Sequence, residues 1–253
     1  MHPVILTAVG VGGATVFGAL IGFIFKRPSH KFNDIILSFA AGVMLSAAVM
    51  GLIVESFNEE EPVSLAVTVI GIFAGAVCLN LIDKLVPHLH GFGDGNEEAH
   101  PEKQKQLSKV LLFVIAIAIH NLPEGIAAGV SFGSGNTAQA MTVAGGIALQ
   151  NIPEGMVIIA PMIASGISKS KTLLIAAATG LIEVIGTFIG FFAVSVSEAV
   201  LPFALAFAGG TMLYVISDEM IPETHAHGNE RAATYSLLAG FCLMMIFDVV
   251  LGG

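Results

Sequence analysis

Eight stretches of predominantly apolar residues, each long enough to span a bilayer, occupy nearly all of this 253-residue chain. They cover roughly 4–25, 34–54, 63–86, 108–131, 137–163, 171–194, 200–221 and 232–251. A membrane-crossing helix needs about 20 such residues, and hydrocarbon admits only structures that satisfy their own backbone, helices or closed barrels. The expected fold is therefore all-α: one transmembrane domain over 1–253, with a His- and acid-containing cytoplasmic loop over 87–107 between helices 3 and 4. With 55% hydrophobic and 11% charged residues, the chain is too apolar for a soluble domain of this length.

The first apolar stretch begins at Val4 with no basic segment before it and no small-residue cleavage site after it, so it reads as a retained helix and not a signal peptide. Cys78 and Cys242 both fall inside predicted helices and read as packing residues rather than a disulfide. The formal net charge is −9 and there are no basic clusters, so nucleic acid is not an expected partner. The distribution of charge is more informative than its sum. Lys26, Arg27 and Lys31 follow helix 1, and Lys84, Lys103, Lys105 and Lys109 surround loop 3; Lys169 and Lys171 lie in loop 5, and Arg231 in loop 7. Those are all ten basic residues, and every one lies in or beside an odd-numbered connection. By the positive-inside rule the odd loops are cytoplasmic, both termini are extracytoplasmic, and the setting is a multi-pass cell (inner) membrane protein.

Two segments recur. "FAAGVML" at 39–45 in helix 2 resembles "FAGGTML" at 207–213 in helix 7, and "HNLPEG" in helix 4 is matched by "QNIPEG" in helix 5. An even and an odd helix cross the membrane in opposite directions. The simplest scheme is an inverted repeat in which helices 1–3 pair with 6–8 around Pro-kinked helices 4 and 5, an organisation found in secondary transporters. Small-residue motifs also recur wherever helices pack closely, so the paired boxes carry more of this argument than the heptapeptides.

Each box places polar groups in an apolar run. His120 and Glu124 stand i,i+4, about 6 Å apart on one face, with Asn121 about 100° around. Gln150, Asn151 and Glu154 repeat the pattern. Pro123 and Pro153 cannot donate to the residue four earlier, which frees the carbonyls of Ile119 and Leu149, and Gly125 and Gly155 are expected to relax the backbone just beyond. A charged side chain at mid-bilayer costs about 2.5–3.5 kcal/mol on insertion scales, and Glu183 in helix 6 adds a third carboxylate at similar depth. Such groups call for a cation, or for protons in its place. Imidazole, carboxylate and amide oxygens, with the thioether of Met44 as a further donor, suit borderline divalent ions such as Zn²⁺, Fe²⁺ or Mn²⁺. One His in a helix is ordinarily a packing residue; two boxes with Glu at the same offset are not explained that way.

Other features are weaker. Asp218 and Glu219 in "SDEMIPETH" lie at the end of helix 7, where they either relay cations or are simply solvated. His88 and His90 in loop 3, with His100 and nearby acids, read as a flexible polar segment with weak, dispensable metal binding. "GATVFGALIG" at 13–22 suits a homodimer contact or internal packing equally.

On "HNLPEG" and "QNIPEG" in helices 4 and 5 of eight, preceded by a His-containing loop, the chain resembles the ZIP family of divalent-metal transporters, in its compact prokaryotic GufA-like branch. The resemblance implies influx of zinc or a similar ion toward the cytoplasm through two adjacent sites near the membrane midplane. It would place one ion with His120, Glu124, Gln150 and Glu154, with Met44 nearby, and a second with Asn121, Asn151 and Glu183; Glu124 and Glu154 would bridge the two. Many relatives have His where this chain has Gln150, and some have Asp where it has Asn151. Metal binding that displaces protons is expected to weaken at low pH. No cofactor beyond the transported ion is implied, and the partners are divalent ions and the lipid bilayer, with a homodimer as a further expectation.

The alternative from another class is a membrane-embedded metal-dependent hydrolase built on the same residues. Against it stand the absence of H-E-x-x-H and the small number of nitrogen donors. The expected protein is a transporter and not an enzyme.

Overall fold

In the computed structural model of the chain, the described residues are 2–25, 28–57, 62–85, 101–196 and 198–251. Among them the chain forms eight long helices: α1 His2–Gly22, α2 His30–Ser56, α3 Pro62–Leu85, α4 Pro101–Val130, α5 Thr137–Ala164, α6 Lys169–Val196, α7 Leu201–Thr224 and α8 Glu230–Leu251. All except α4 are long and apolar enough by composition to cross a membrane. Local chemistry sets several boundaries. The hydroxyl of Ser29 accepts from the N–H of Phe32 at 3.2 Å to start α2, and Asn136 accepts from the N–H of Gln139 to start α5, each meeting a donor that the first turn leaves unpaired. Gly166, at φ 82°, closes α5 in a left-handed turn that a side chain would strain.

Helix α4 is helical from Pro101, the first residue described there, upstream of the apolar boundary expected at 108. Hydropathy registers where the lipid begins, whereas this helix extends into the polar segment before it. Residues 86–100, with His88 and His90, lie outside the described residues. Helices α2 and α7 each contain a wide π-type segment, Ala47–Ile53 and Ile216–Met220, a rare feature that tends to occur near functional sites.

The helices sort into two groups. α4 lies along α6, α1 along α5, and α1 touches α6; separately, α2 lies along α8 and α3 along α7. Contact between the groups is narrower and runs mainly through α2 with α5 and α4 with α7. Glycines set the closest approaches within each group. A Cβ at Gly42 would strike the carbonyl of Leu237, and one at Gly240 that of Phe39; Gly75 and Gly210 do the same against Phe207 and Ile72. Gly12 and Gly180 face each other's carbonyls. Where the groups meet, Gly51 and Gly146 instead abut the side chains of Val143 and Met244. Close backbone contact locks a helix pair, whereas side-chain contact lets packing rearrange.

The outside of the bundle is more apolar than its inside. Leu174, Phe73 and Val249 are exposed, while Thr7, Thr15, Ser38, Ser46, Thr187 and Thr211 are buried. In water such a surface would drive aggregation; in a bilayer it faces lipid. Within the expected dimer stretch, Gly18 and Gly22 close on Ile152 and Met156 of α5, so internal packing uses them. Cys78 and Cys242 are both free.

Candidate metal centre

The two boxes face each other across the middle of the bundle. α4 and α5 continue as helices through Pro123 and Pro153, leaving the carbonyls of Ile119 and Leu149 without their usual donor. The glycine of each box also lets a neighbouring helix come close. Gly125 abuts the carbonyl of Glu183 on α6, and Gly155 that of Thr15 on α1. Each box is therefore pressed on to a neighbouring helix where that helix presents a polar side chain.

His120, Asn121, Glu124, Gln150, Asn151 and Glu183 are all buried, and Glu154 is half-buried. Glu124 lies within electrostatic range of Glu154 and Glu183, and Glu154 within range of His120; the Gln150 amide stands close beside Glu124 but is not aligned as a hydrogen bond. Both oxygens of Glu124, both polar atoms of Gln150 and the amide oxygens of Asn121 and Asn151 have no hydrogen-bond partner. A buried polar atom left unpaired costs about 1–3 kcal/mol, so this concentration of lone pairs requires compensation. A bound cation would supply it for the oxygens among these atoms.

Glu183 contrasts with these groups, because both its oxygens already accept hydrogen bonds. Its Oε1 accepts from Asn121 Nδ2 at 2.5 Å and from Thr15 Oγ1 at 2.6 Å, and its Oε2 accepts from Asn151 Nδ2 at 2.5 Å. Asn151 also donates to the carbonyl of Val11 at 3.3 Å. A carboxylate can only accept, which orients both amides with their nitrogens toward Glu183 and their oxygens away. Among the described residues, no three His, Cys, Asp or Glu side chains group closely enough to hold a metal by themselves. Any ion here must draw on amide oxygens as well.

A cavity of about 550 Å³ reaches the boxes from the end of the bundle where α7 gives way to the loop before α8. His120, Glu124 and Glu154 line its inner end, and Asp218, Glu219 and Glu223 its mouth. His120 Nε2 lies 2.6 Å from Glu219 Oε1, an ion-pair contact by distance though not aligned as a hydrogen bond. Asp218 is exposed. Met44 is fully buried in the main apolar cluster, together with Met212, Ala127 and Ile147.

Thr15 and Glu223 were not among the residues expected from sequence. A threonine in an apolar helix gives no signal of its own. The offset that separates Gly42 from Gly210, however, also separates Thr15 from Glu183, so aligning the two halves finds it.

Comparison with known proteins gives the family of the chain. Residues 94–248 match the ZIP zinc transporter family. The chain is 39% identical to the zinc transporter GufA of Myxococcus xanthus, over 95% of this chain and 96% of that one. It is 36% identical to the zinc transporter ZIPB of Bordetella bronchiseptica, over 94% and 78% of the two chains. It is 34% identical to the zinc transporter ZupT of Chlorobaculum parvum, over 93% and 92%. These are transporters, and the hydrolase alternative is set aside. Matched by family over more than half its length, and by these relatives over almost all of it, the chain belongs to the ZIP family of divalent-metal transporters.

Proposed function

We propose that this protein carries zinc, with iron, manganese and cadmium as further candidate cargo, into the cytoplasm through a two-ion site between α4 and α5 at the membrane midplane. One ion takes His120, Glu124, Gln150 and Glu154, with Met44 beside it. The second takes Asn121, Asn151 and Glu183, and the carboxylates of Glu124 and Glu154 bridge the pair. The observation that carries this reading is the set of unpartnered oxygens on Glu124, which lines the inner end of the cavity, and on the buried amides of Gln150, Asn121 and Asn151. Mixed oxygen donors with a single imidazole bind a borderline ion loosely enough for it to leave again.

The chain crosses the membrane eight times as an inverted repeat, in an inner membrane with both termini outside. The repeat is supported by paired close contacts: Gly42 meets Leu237 as Gly210 meets Ile72, and Gly240 meets Phe39 as Gly75 meets Phe207. Rocking of the group α1, α4, α5 and α6 against α2, α3, α7 and α8 would give alternating access. The contrast between backbone-close contacts within the groups and side-chain contacts between them favours that motion. With the odd loops cytoplasmic, the cavity opens inward, and Asp218 and Glu219 receive the departing ion. His88 and His90 of loop 3 act as a weak accessory trap. A homodimer would use a face other than Gly18 and Gly22, which are occupied by α5.

The test is radiolabelled zinc uptake into proteoliposomes, with iron, manganese and cadmium as competitors. Saturable uptake that is lost in Glu124→Ala and in Glu154→Ala is the expected result. A folded wild-type protein that moves no divalent ion would sink the proposal.

A further inference from the structure

The two halves of the donor set differ in how far they are already engaged. Glu124 and Gln150 have no hydrogen-bond partner, and Glu124 lines the open cavity. Asn121, Asn151 and Glu183 do not line that cavity and are joined to one another. The remaining member of the cluster is Thr15 of α1, 1% exposed, whose hydroxyl donates to the same Glu183 oxygen as Asn121.

These three neutral donors fill both acceptor positions of Oε1 and one of Oε2, so an ion that takes Glu183 through Oε1 must compete with Thr15 and Asn121. The cost differs among them. Asn121 and Asn151 each keep an unpartnered amide oxygen, so an amide that gives up its bond to Glu183 still has an atom to offer the ion. Thr15 is bonded to Glu183 and is absent from the proposed ligand set, so breaking its bond recovers nothing. Hydrogen bonds to charged groups are the strong ones.

We propose that Thr15 is a positioning residue that holds Glu183 on the asparagine pair, so that the two ion sites fill in order: first beside His120, Glu124, Gln150 and Glu154, and only afterwards beside Glu183. This rests on the two-ion reading above and adds to it the order of loading and the side chain that sets it. Val in place of Thr keeps the branched shape and removes the donor, so Thr15→Val strengthens binding of the second ion by about tenfold and leaves the first unchanged. Thr15→Ser retains the hydroxyl and behaves as wild type.

The experiment is calorimetric titration of the purified, metal-free full chain with Zn²⁺ for wild type, Thr15→Val and Thr15→Ser. Two separable binding events are expected, with only the second moved by Val and restored by Ser. An unmoved second event, a weaker one, or an equal change in both would overturn the role of Thr15. A measurement on wild type alone keeps the order of loading testable if the Val variant does not fold. Zinc-edge X-ray absorption at one equivalent should carry the signature of one imidazole, and the second equivalent should add oxygen donors only. A first equivalent with oxygen-only coordination would overturn the order. If zinc fails to bind folded wild type at any ratio, the two-ion reading itself falls, an outcome distinct from either of these.

Discussion

The boxes on α4 and α5 share Asn, Pro, Glu and Gly at the same positions, yet they occupy different chemical surroundings. Gly125 is pressed against α6 at Glu183, whereas Gly155 is pressed against α1 at Thr15. One neighbour brings a carboxylate and the other a hydroxyl, and the two are bonded to each other at 2.6 Å. The first residue of each box differs as well. His120 reaches Glu219 at the cavity mouth, while Gln150 is completely buried and unpartnered. Like backbone therefore holds unlike chemistry: the shared residues build a frame, and the positions that differ decide which polar groups each box presents.

The largest expected effects come from removing what the boxes share. Glu124→Ala and Glu154→Ala should each reduce zinc uptake by about 100-fold or more, beyond the range typical of residues that only support a ligand. Uptake above a few per cent of wild type in either variant would separate the two boxes in function. The box glycines come next. Gly125→Ala and Gly155→Ala each push a Cβ into a backbone carbonyl, and overpacking of this kind costs about 1–3 kcal/mol. Both should lower the melting temperature in detergent, whereas Gly10→Ala, with open space around it, should not. A drop for only one box glycine would show that the two helix crossings are not equivalent.

Exchanging the unlike residues sharpens the comparison further. Gln150→His should tighten zinc binding by about tenfold and shift the competition series toward zinc, because imidazole suits that ion better than an amide oxygen. His120→Gln should weaken zinc by a similar factor. Equal affinities in the two variants would mean that the imidazole is not a ligand. The smallest effect is expected at the mouth. Glu219 is partly exposed, so its contact with His120 is screened by solvent. Glu219→Gln should change uptake only about two- to threefold, read as the initial rate of zinc release into the vesicle lumen.

Much of this protein was legible in its residues because a bilayer imposes strong rules. The apolar runs marked all eight helices, and seven of them, all but α4, are long and apolar enough by composition to cross a membrane. That α4 is helical from Pro101 was not legible, since hydropathy reports where lipid begins and not how far the helix extends. The carboxylates were conspicuous for the same reason that they are costly in hydrocarbon. Thr15 was not, because a threonine in an apolar helix ordinarily bonds its own preceding turn, as Thr187 does to the carbonyl of Glu183. Its value lies in reaching across to another helix, which local sequence does not encode. The glycines of the boxes were noticeable, but their task depends on which helix approaches them.

By itself the sequence determined a helical membrane protein, its long apolar helices, and two boxes of polar residues within them, because solvation costs and helical spacing act on neighbouring residues. The tertiary structure decided which lone pairs stay unpartnered, that Glu183 is bound by Thr15 and both asparagines, and that the cavity ends on His120, Glu124 and Glu154. Those outcomes depend on close packing of helices far apart in the chain, where a missing Cβ lets one backbone press against another.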